Sequence, residues 1–266
     1  MSSVGSTPDG DVFLSHSDDG RVATILLDRA AKLNALTLPM LDRLREVSIE
    51  AGRSRARVVL IRTAGEKVFS VGADINHFSD LNSVGMWRTW IATGHAAFAA
   101  VQAIPQPTVA VVDGLAYGGG FELALATDLR VLGSTVRVAL PETGLGTVPG
   151  WGGTQRLAEL IGVHRTKELV FTRRVLSAEE ALTWGIATRL ADEGDLEPEL
   201  DRLVTELLGS APVAVQLAKQ IIDGAAAGAP SSTLEALASG VAAATGDLAE
   251  GVAAFREKRP PDFSDS

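Results

Sequence analysis

Between Asp113 and Asp128 an apolar run gives way to Gly118-Gly119-Gly120 and then to Phe121-Glu122-Leu123-Ala124, so that backbone donors come first and one carboxylate follows. A strand that turns into a helix exposes N–H groups at the helix start, and glycine lets a ligand approach them because no Cβ stands in the way. Gly119 is thus a candidate to face an oxyanion. Glu122, three positions on, lies about one turn deeper on nearly the same side, where it could serve as a base. The competing reading is structural. A glycine run joining strand to helix commonly serves a tight turn or close packing, and one glutamate on an apolar face is often a satisfied residue. A second acid, Glu142, follows in Leu140-Pro141-Glu142-Thr143-Gly144-Leu145-Gly146-Thr147-Val148-Pro149-Gly150-Trp151-Gly152-Gly153. So many glycines after a Pro-Glu step hold a carboxylate on a loop that approaches something closely, unless Glu142 is a solvated loop acid. The segment has no dinucleotide or P-loop fingerprint.

The elements that must position these groups follow from periodicity. Val12 to His16, the turn Asp18-Asp19-Gly20 and Val22 to Leu27 form a hairpin. From Thr37 the period changes: Leu38, Leu41, Leu44, Val47 and Ile49 recur at roughly three and four, with Thr37 as N-cap and Pro39 in the first turn, which predicts an amphipathic helix. Val58 to Ile61 is a β-branched run suited to burial on both faces, leading into a loop from Thr63 to Asp74. A helix over Trp87 to Ile104 stops at Pro105 and Pro107. Buried strands are then expected at Thr108 to Val112, Leu129 to Leu132 and Val136 to Leu140. After Gly153 the pattern is helical: Gln155 to Ile161, His164 to Phe171, and Ala178 to Trp184 with Ser177 and Glu180 as a capping box. A short strand at Ala187 to Leu190 precedes three helical stretches, Glu199 to Leu208, Val213 to Ala227 and Thr233 to Arg256. The expected organisation is an α/β core over residues 1–200 and a helical region over 201–266, too small to hold a core alone.

Composition narrows the chemistry. The 266 residues, 46% hydrophobic and 21% charged, can bury a sizeable core. The net charge of −9 opposes sequence-independent attraction to nucleic acid or anionic lipid, so neither is an expected partner. The lack of cysteine removes disulfides, thiolate metal sites and a thiol nucleophile together. The four histidines, His16, His77, His95 and His164, have no metal-ligand spacing, and no metal site is expected. Met1 to Asp11 is small and polar without a basic or apolar leader pattern, and no apolar run reaches the ~18 residues of a membrane span, so a soluble cytoplasmic protein is expected.

Asp113 to Ala124, followed by Pro141-Glu142 and Gly144 to Gly150, resembles the enoyl-CoA hydratase/isomerase (crotonase) family. The two glutamates stand 20 positions apart, as in members that keep both acids. Phe69-Ser70-Val71-Gly72-Ala73-Asp74-Ile75 resembles the family's first oxyanion loop, and Lys32-Leu33-Asn34-Ala35-Leu36 its CoA-contacting loop. Ala254-Phe255-Arg256-Glu257-Lys258-Arg259 resembles its C-terminal pattern, and the similarity runs from about Ile25 to Phe263.

The resemblance implies a spiral of ββα units with a thioester carbonyl held between the N–H groups of Ala73 and Gly119. It makes Glu122 the base toward water, Glu142 the donor to C2, and Gly150 a glycine whose N–H places the water. The activity implied is reversible hydration of a 2-enoyl-CoA, with CoA as part of the substrate and no separate cofactor. Lys32, Leu33, Asp74, Ile75, Trp151 and Lys258 are the implied substrate-side residues. For Lys32 and Lys258 the alternative is simple solvation, and for Asp74 it is internal hydrogen bonding. Trp87 and Trp90 are core or acyl-pocket wall, and Trp151 is the candidate for specificity. The implied self-association is a trimer or a pair of trimers. Two departures bear on acyl preference: Asn76 stands where many members carry lysine, and Leu140 where hydratases can have a polar residue. The rival activities are double-bond isomerisation, which can use one acid, other CoA thioester chemistry, and a non-catalytic role such as RNA binding, which the acidic balance opposes.

Overall fold

Asp11–His16 (β1) and Val22–Asp28 (β2) pair antiparallel, with Val12 opposite Leu27 and Leu14 opposite Ile25. Ala23, Ile25 and Leu27 are buried and their neighbours half-exposed, the two-residue period of a strand with one covered face. The cover is Leu38–Arg53 (α1), begun by Thr37, whose Oγ1 accepts a hydrogen bond from Met40 N–H. Met40, Leu41, Leu44, Val47 and Ala51 make its inward face, whereas Ile49, expected in that stripe, is 42% exposed and Ser48 lies inward in its turn. These coordinates are a computed structural model, and they describe residues 10–65, 67–192 and 194–264. Most of the leading segment, 1–9, lies outside the described residues.

Val58–Thr63 (β3) and Val68–Ser70 (β4) come next, the second a short strand inside what the sequence presents as a loop. Then follow Ile75–Phe78 (α2), Ser83–Gly85 (α3), a π-helical turn Met86–Ile91, and Ala92–Gln102 (α4), the last three continuous. The chain continues through Thr108–Val112 (β5), Leu115–Tyr117 (β6), Gly119–Leu125 (α5), Leu129–Gly133 (β7) and Arg137–Ala139 (β8). Each turn thus gives one strand to each of two sheets. After Gly153–Ile161 (α6), Val163–Thr172 (α7), Leu176–Ser177 (β9), Ala178–Thr183 (α8) and Arg189–Ala191 (β10), one sheet has the order β1-β2-β3-β5-β7-β10 and the other β4-β6-β8-β9. All pairings are parallel except β1–β2 and β8–β9. This is the expected spiral of ββα units.

The apolar stretches Val58 to Ile61 of β3 and Val109 to Val112 of β5 are covered on both faces. Val59, Ile61, Ala110 and Val112 enter the main core with α1 and α4, while Val58, Leu60, Val109, Val111 and Val131 meet Leu200 and Leu203 of Leu196–Leu208 (α9). Helix α9 therefore runs across position 200 and packs on the sheet. Pro212–Ala226 (α10) is tied on by Lys219, whose Nζ donates to Asp128 at 2.7 Å and to Ile104 O at 2.7 Å. Asp128 also accepts from Thr108 N–H and Oγ1, a structural role as expected from sequence. The single helix expected over Thr233 to Arg256 is two, Ser231–Ala243 (α11) and Gly246–Glu257 (α12), because Thr245 is extended (φ −86°, ψ 150°). Among the described residues no helix is long and apolar enough to cross a membrane.

Candidate active site

Two backbone N–H groups meet where the loop after β4 crosses the turn between β6 and α5. Gly72 has φ +90°, and a Cβ there would lie 2.7 Å from Gly119 N and 2.8 Å from Tyr117 O, so only glycine lets the loops approach this closely. Leu36 N–H donates to Gly72 O and Asp74 N–H to Leu36 O, forming a parallel bridge of Leu36 with Ala73. In a parallel bridge the flanking residues carry the bonds, so the Ala73 N–H faces away from Leu36. Gly118 has φ +51°, and its N–H donates to Ala139 O. Gly119 opens α5, where a first-turn N–H has no partner within the helix. Ala73 and Gly119 both line one cleft.

Glu122 follows one turn into α5 and is 2% exposed. Its Oε1 accepts from Trp151 N–H and Gly153 N–H, each at 2.9 Å. Burial pushes its pKa up, against which the N–H groups of Gly153, Trp151 and Gly150 and the nearby Arg156 charge favour the ionised form. Arg156 in turn donates from Nη1 to Trp151 O at 2.9 Å and is held by Gln102, which fixes the peptide that grips Glu122.

Glu142 reaches the cleft from the other side, at the start of a 3-10 turn Glu142–Leu145. Its Oε2 is buried with no hydrogen-bond partner among the described residues, and its Oε1 lies 2.9 Å from where a Cβ on Gly118 would sit. Burial, with the Glu122 charge adding to it, raises its pKa to about 7. Two carboxyls thus share a cleft in unlike settings, one gripped by backbone donors and one with a bare oxygen. The apolar walls are Phe78, Met86, Trp90, Ile91 and Trp151.

The model of the enoyl-CoA hydratase/isomerase family matches residues 18–266. The chain belongs to the enoyl-CoA hydratase/isomerase family. Among relatives, it is 35% identical over 247 residues to the short-chain-enoyl-CoA hydratase of Clostridium acetobutylicum, covering 91% of this chain and 93% of that one. The crotonyl-CoA hydratase of Syntrophomonas wolfei is 35% identical over 251 residues, covering 91% and 94%. A crystal structure of an enoyl-CoA hydratase from Bacillus anthracis superposes with a TM-score of 0.90 at 33% identity, covering 96% of this chain and all of that one.

Of the residues expected at the site of this enoyl-CoA hydratase/isomerase family member, Ala73, Ile75, Gly119, Glu122, Glu142, Gly150 and Trp151 line the cleft together. Asp74 follows the internal hydrogen-bonding reading: it is buried, its Oδ2 accepts from Arg29 at 2.6 Å and its Oδ1 from Asn76 N–H, so both oxygens are engaged within the protein. Burial alone would raise its pKa, but the bonds from Arg29 and Asn76 hold it below the ordinary value. Lys32 is exposed at the end of the 3-10 turn Ala30–Lys32, and Leu33, 52% exposed, lines a second groove with Ala64, Gly65, Lys67 and Val68. Val71 N–H donates to Leu33 O and Leu36 N–H to Gly72 O, which couples this groove to the Ala73 loop. Lys258 sits at the exposed end of α12, and the cleft and this groove are lined without it. Trp90 is buried in the wall, but Trp87 is 66% exposed and is not core. The sequence singled out neither Gly72 nor Arg156; a glycine inside the Ala73 motif was the available signal for the first, and for the second none exists before Trp151 is placed.

Proposed function

We propose that the chain is an enoyl-CoA hydratase, adding water reversibly to a 2-enoyl-CoA to give a 3-hydroxyacyl-CoA. The observation that carries this reading is the pairing of two carboxyls in unlike environments in one cleft with the backbone of Ala73 and Gly119. As water attacks C3, negative charge moves to the thioester oxygen, and donors already aimed at that place cost no reorganisation. By analogy with other oxyanion holes each is worth roughly 3 to 4 kcal/mol. Ala73 and Gly119 supply them.

Glu122, its Oε1 held by the N–H groups of Trp151 and Gly153, takes the proton from water, which the Gly150 N–H helps to place. Glu142, with a bare oxygen and a pKa of about 7, carries the proton that goes to C2. Hydroxide thus adds at C3 and a proton at C2. The cycle leaves Glu122 protonated and Glu142 ionised, and proton exchange between them or with water restores the start. CoA lies along the groove of Leu33, with Lys32 and Lys67 offering cations to its phosphates. Lys258 comes into play only through self-association, which would also cover the exposed Ile222, Leu237 and Phe255.

The test is a panel of 2-enoyl-CoA and 3-enoyl-CoA thioesters followed by the absorbance of the conjugated thioester and by product analysis. We expect 2-enoyl substrates to lose that absorbance with formation of the 3-hydroxyacyl product. Formation of conjugated thioester from 3-enoyl substrates, without any hydroxy product, would make the chain an isomerase instead.

A further inference from the structure

Trp151 holds two places in the cleft at once. Its N–H grips Glu122, while its indole, 2% exposed, forms part of the wall. The ring is clamped on every side. A Cβ added at Gly119 would lie 2.3 Å from its Cζ3, and one at Gly94 of α4 would lie 2.1 Å from its Nε1, so two glycines make the room it fills. Trp90 stands with its ring centre 5.5 Å away, and Phe98 packs edge-on at 5.4 Å. A ring packed this tightly cannot swing aside without displacing neighbours, because interiors are close to crystal density. Leu145, Thr147 and Val148 on the same cleft are exposed, whereas the indole is buried.

We propose that the Trp151 indole is the end wall of the acyl pocket, selecting short 2-enoyl thioesters over longer ones. This rests on the hydratase reading. The indole edge touches Gly119, the donor assigned to the thioester oxygen, so acyl carbons beyond the reacting double bond meet the ring at once. The other walls, Phe78, Met86 and Ile91, are apolar and offer a polar acyl tail no partner.

The experiment compares kcat/KM for crotonyl-CoA, 2-hexenoyl-CoA and 2-octenoyl-CoA in wild type, Trp151→Phe and Trp151→Ala. Wild type is expected to favour crotonyl-CoA over 2-octenoyl-CoA by about tenfold or more, and Trp151→Ala to shrink that preference by about tenfold, since each methylene in a fitted pocket carries this order of discrimination. Trp151→Phe, which keeps the backbone grip on Glu122 and most of the packing, falls between them. The readout is a ratio within one preparation, so a reduced folded fraction cancels, and if the alanine variant does not fold, wild type and the phenylalanine variant decide. Equal use of both substrates by wild type, or a ratio unmoved by the substitutions, overturns the proposal. Absence of any 2-enoyl-CoA turnover by wild type instead overturns the hydratase reading beneath it.

Discussion

Glu122→Gln and Glu142→Gln each lower kcat for crotonyl-CoA hydration by roughly 10²- to 10⁴-fold, the range for loss of a positioned acid or base. The glutamine at 122 can still accept the N–H bonds of Trp151 and Gly153 through its own Oε1, so thermal unfolding should change little while the rate collapses. The pH dependence separates the two roles. Glu142 has a pKa raised to about 7, so its protonated form, the donor to C2, is abundant below pH 7 and lost above it. Hydration by wild type therefore declines on the alkaline side with a midpoint near that value. Part of the upward shift comes from the Glu122 charge, so the residual activity of Glu122→Gln loses its donor at a lower pH. Near-wild-type rates in either variant would remove the role assigned to that residue.

The second large effect is at Gly119. A methyl group there would lie 2.3 Å and 2.6 Å from Trp151 Cζ3 and Cε3 and 3.5 Å from Gly72 Cα. The indole is boxed in, so the start of α5 must move and with it the N–H proposed to meet the thioester oxygen. Gly119→Ala should cost about 10²- to 10³-fold in kcat, the loss measured for one oxyanion-hole donor. Overpacking adds a stability loss of about 1 to 3 kcal/mol, visible in denaturant unfolding. Substrate affinity should fall less than kcat, because the donor's contribution grows as charge develops on the oxygen. A variant with wild-type kcat would show that the Gly119 N–H does not meet the reacting carbonyl.

Much of this arrangement is legible in the chain because its causes are local. The hairpin of β1 and β2 follows from Asp18-Asp19-Gly20 between two apolar runs, and Ser177 with Glu180 forms the reciprocal cap expected three residues apart. Glu122 and Glu142 stand out because glycines flank them. What escapes is set by partners far away in sequence. Asp74 carries the same motif context as Ala73, yet its carboxylate belongs to Arg29, 45 positions earlier. The grip on Glu122 comes from Trp151, 29 positions later. Trp87 and Trp90 share a helix, but the π turn Met86–Ile91 alters the rotation per residue, and one ring faces solvent while the other lines the cleft. The break at Thr245 falls where the alanine-rich run of α11 gives way to the more polar Gly246–Glu257, and no proline marks it.

The most direct measurement is nuclear magnetic resonance of the product formed from crotonyl-CoA by the wild-type chain in D2O. We expect 3-hydroxybutyryl-CoA bearing deuterium at C2 from the exchanged carboxyl and oxygen at C3 from the solvent. Recovery of unchanged crotonyl-CoA, or a product with no hydroxyl at C3, would contradict the assignment of the two glutamates and the paired amides to hydration.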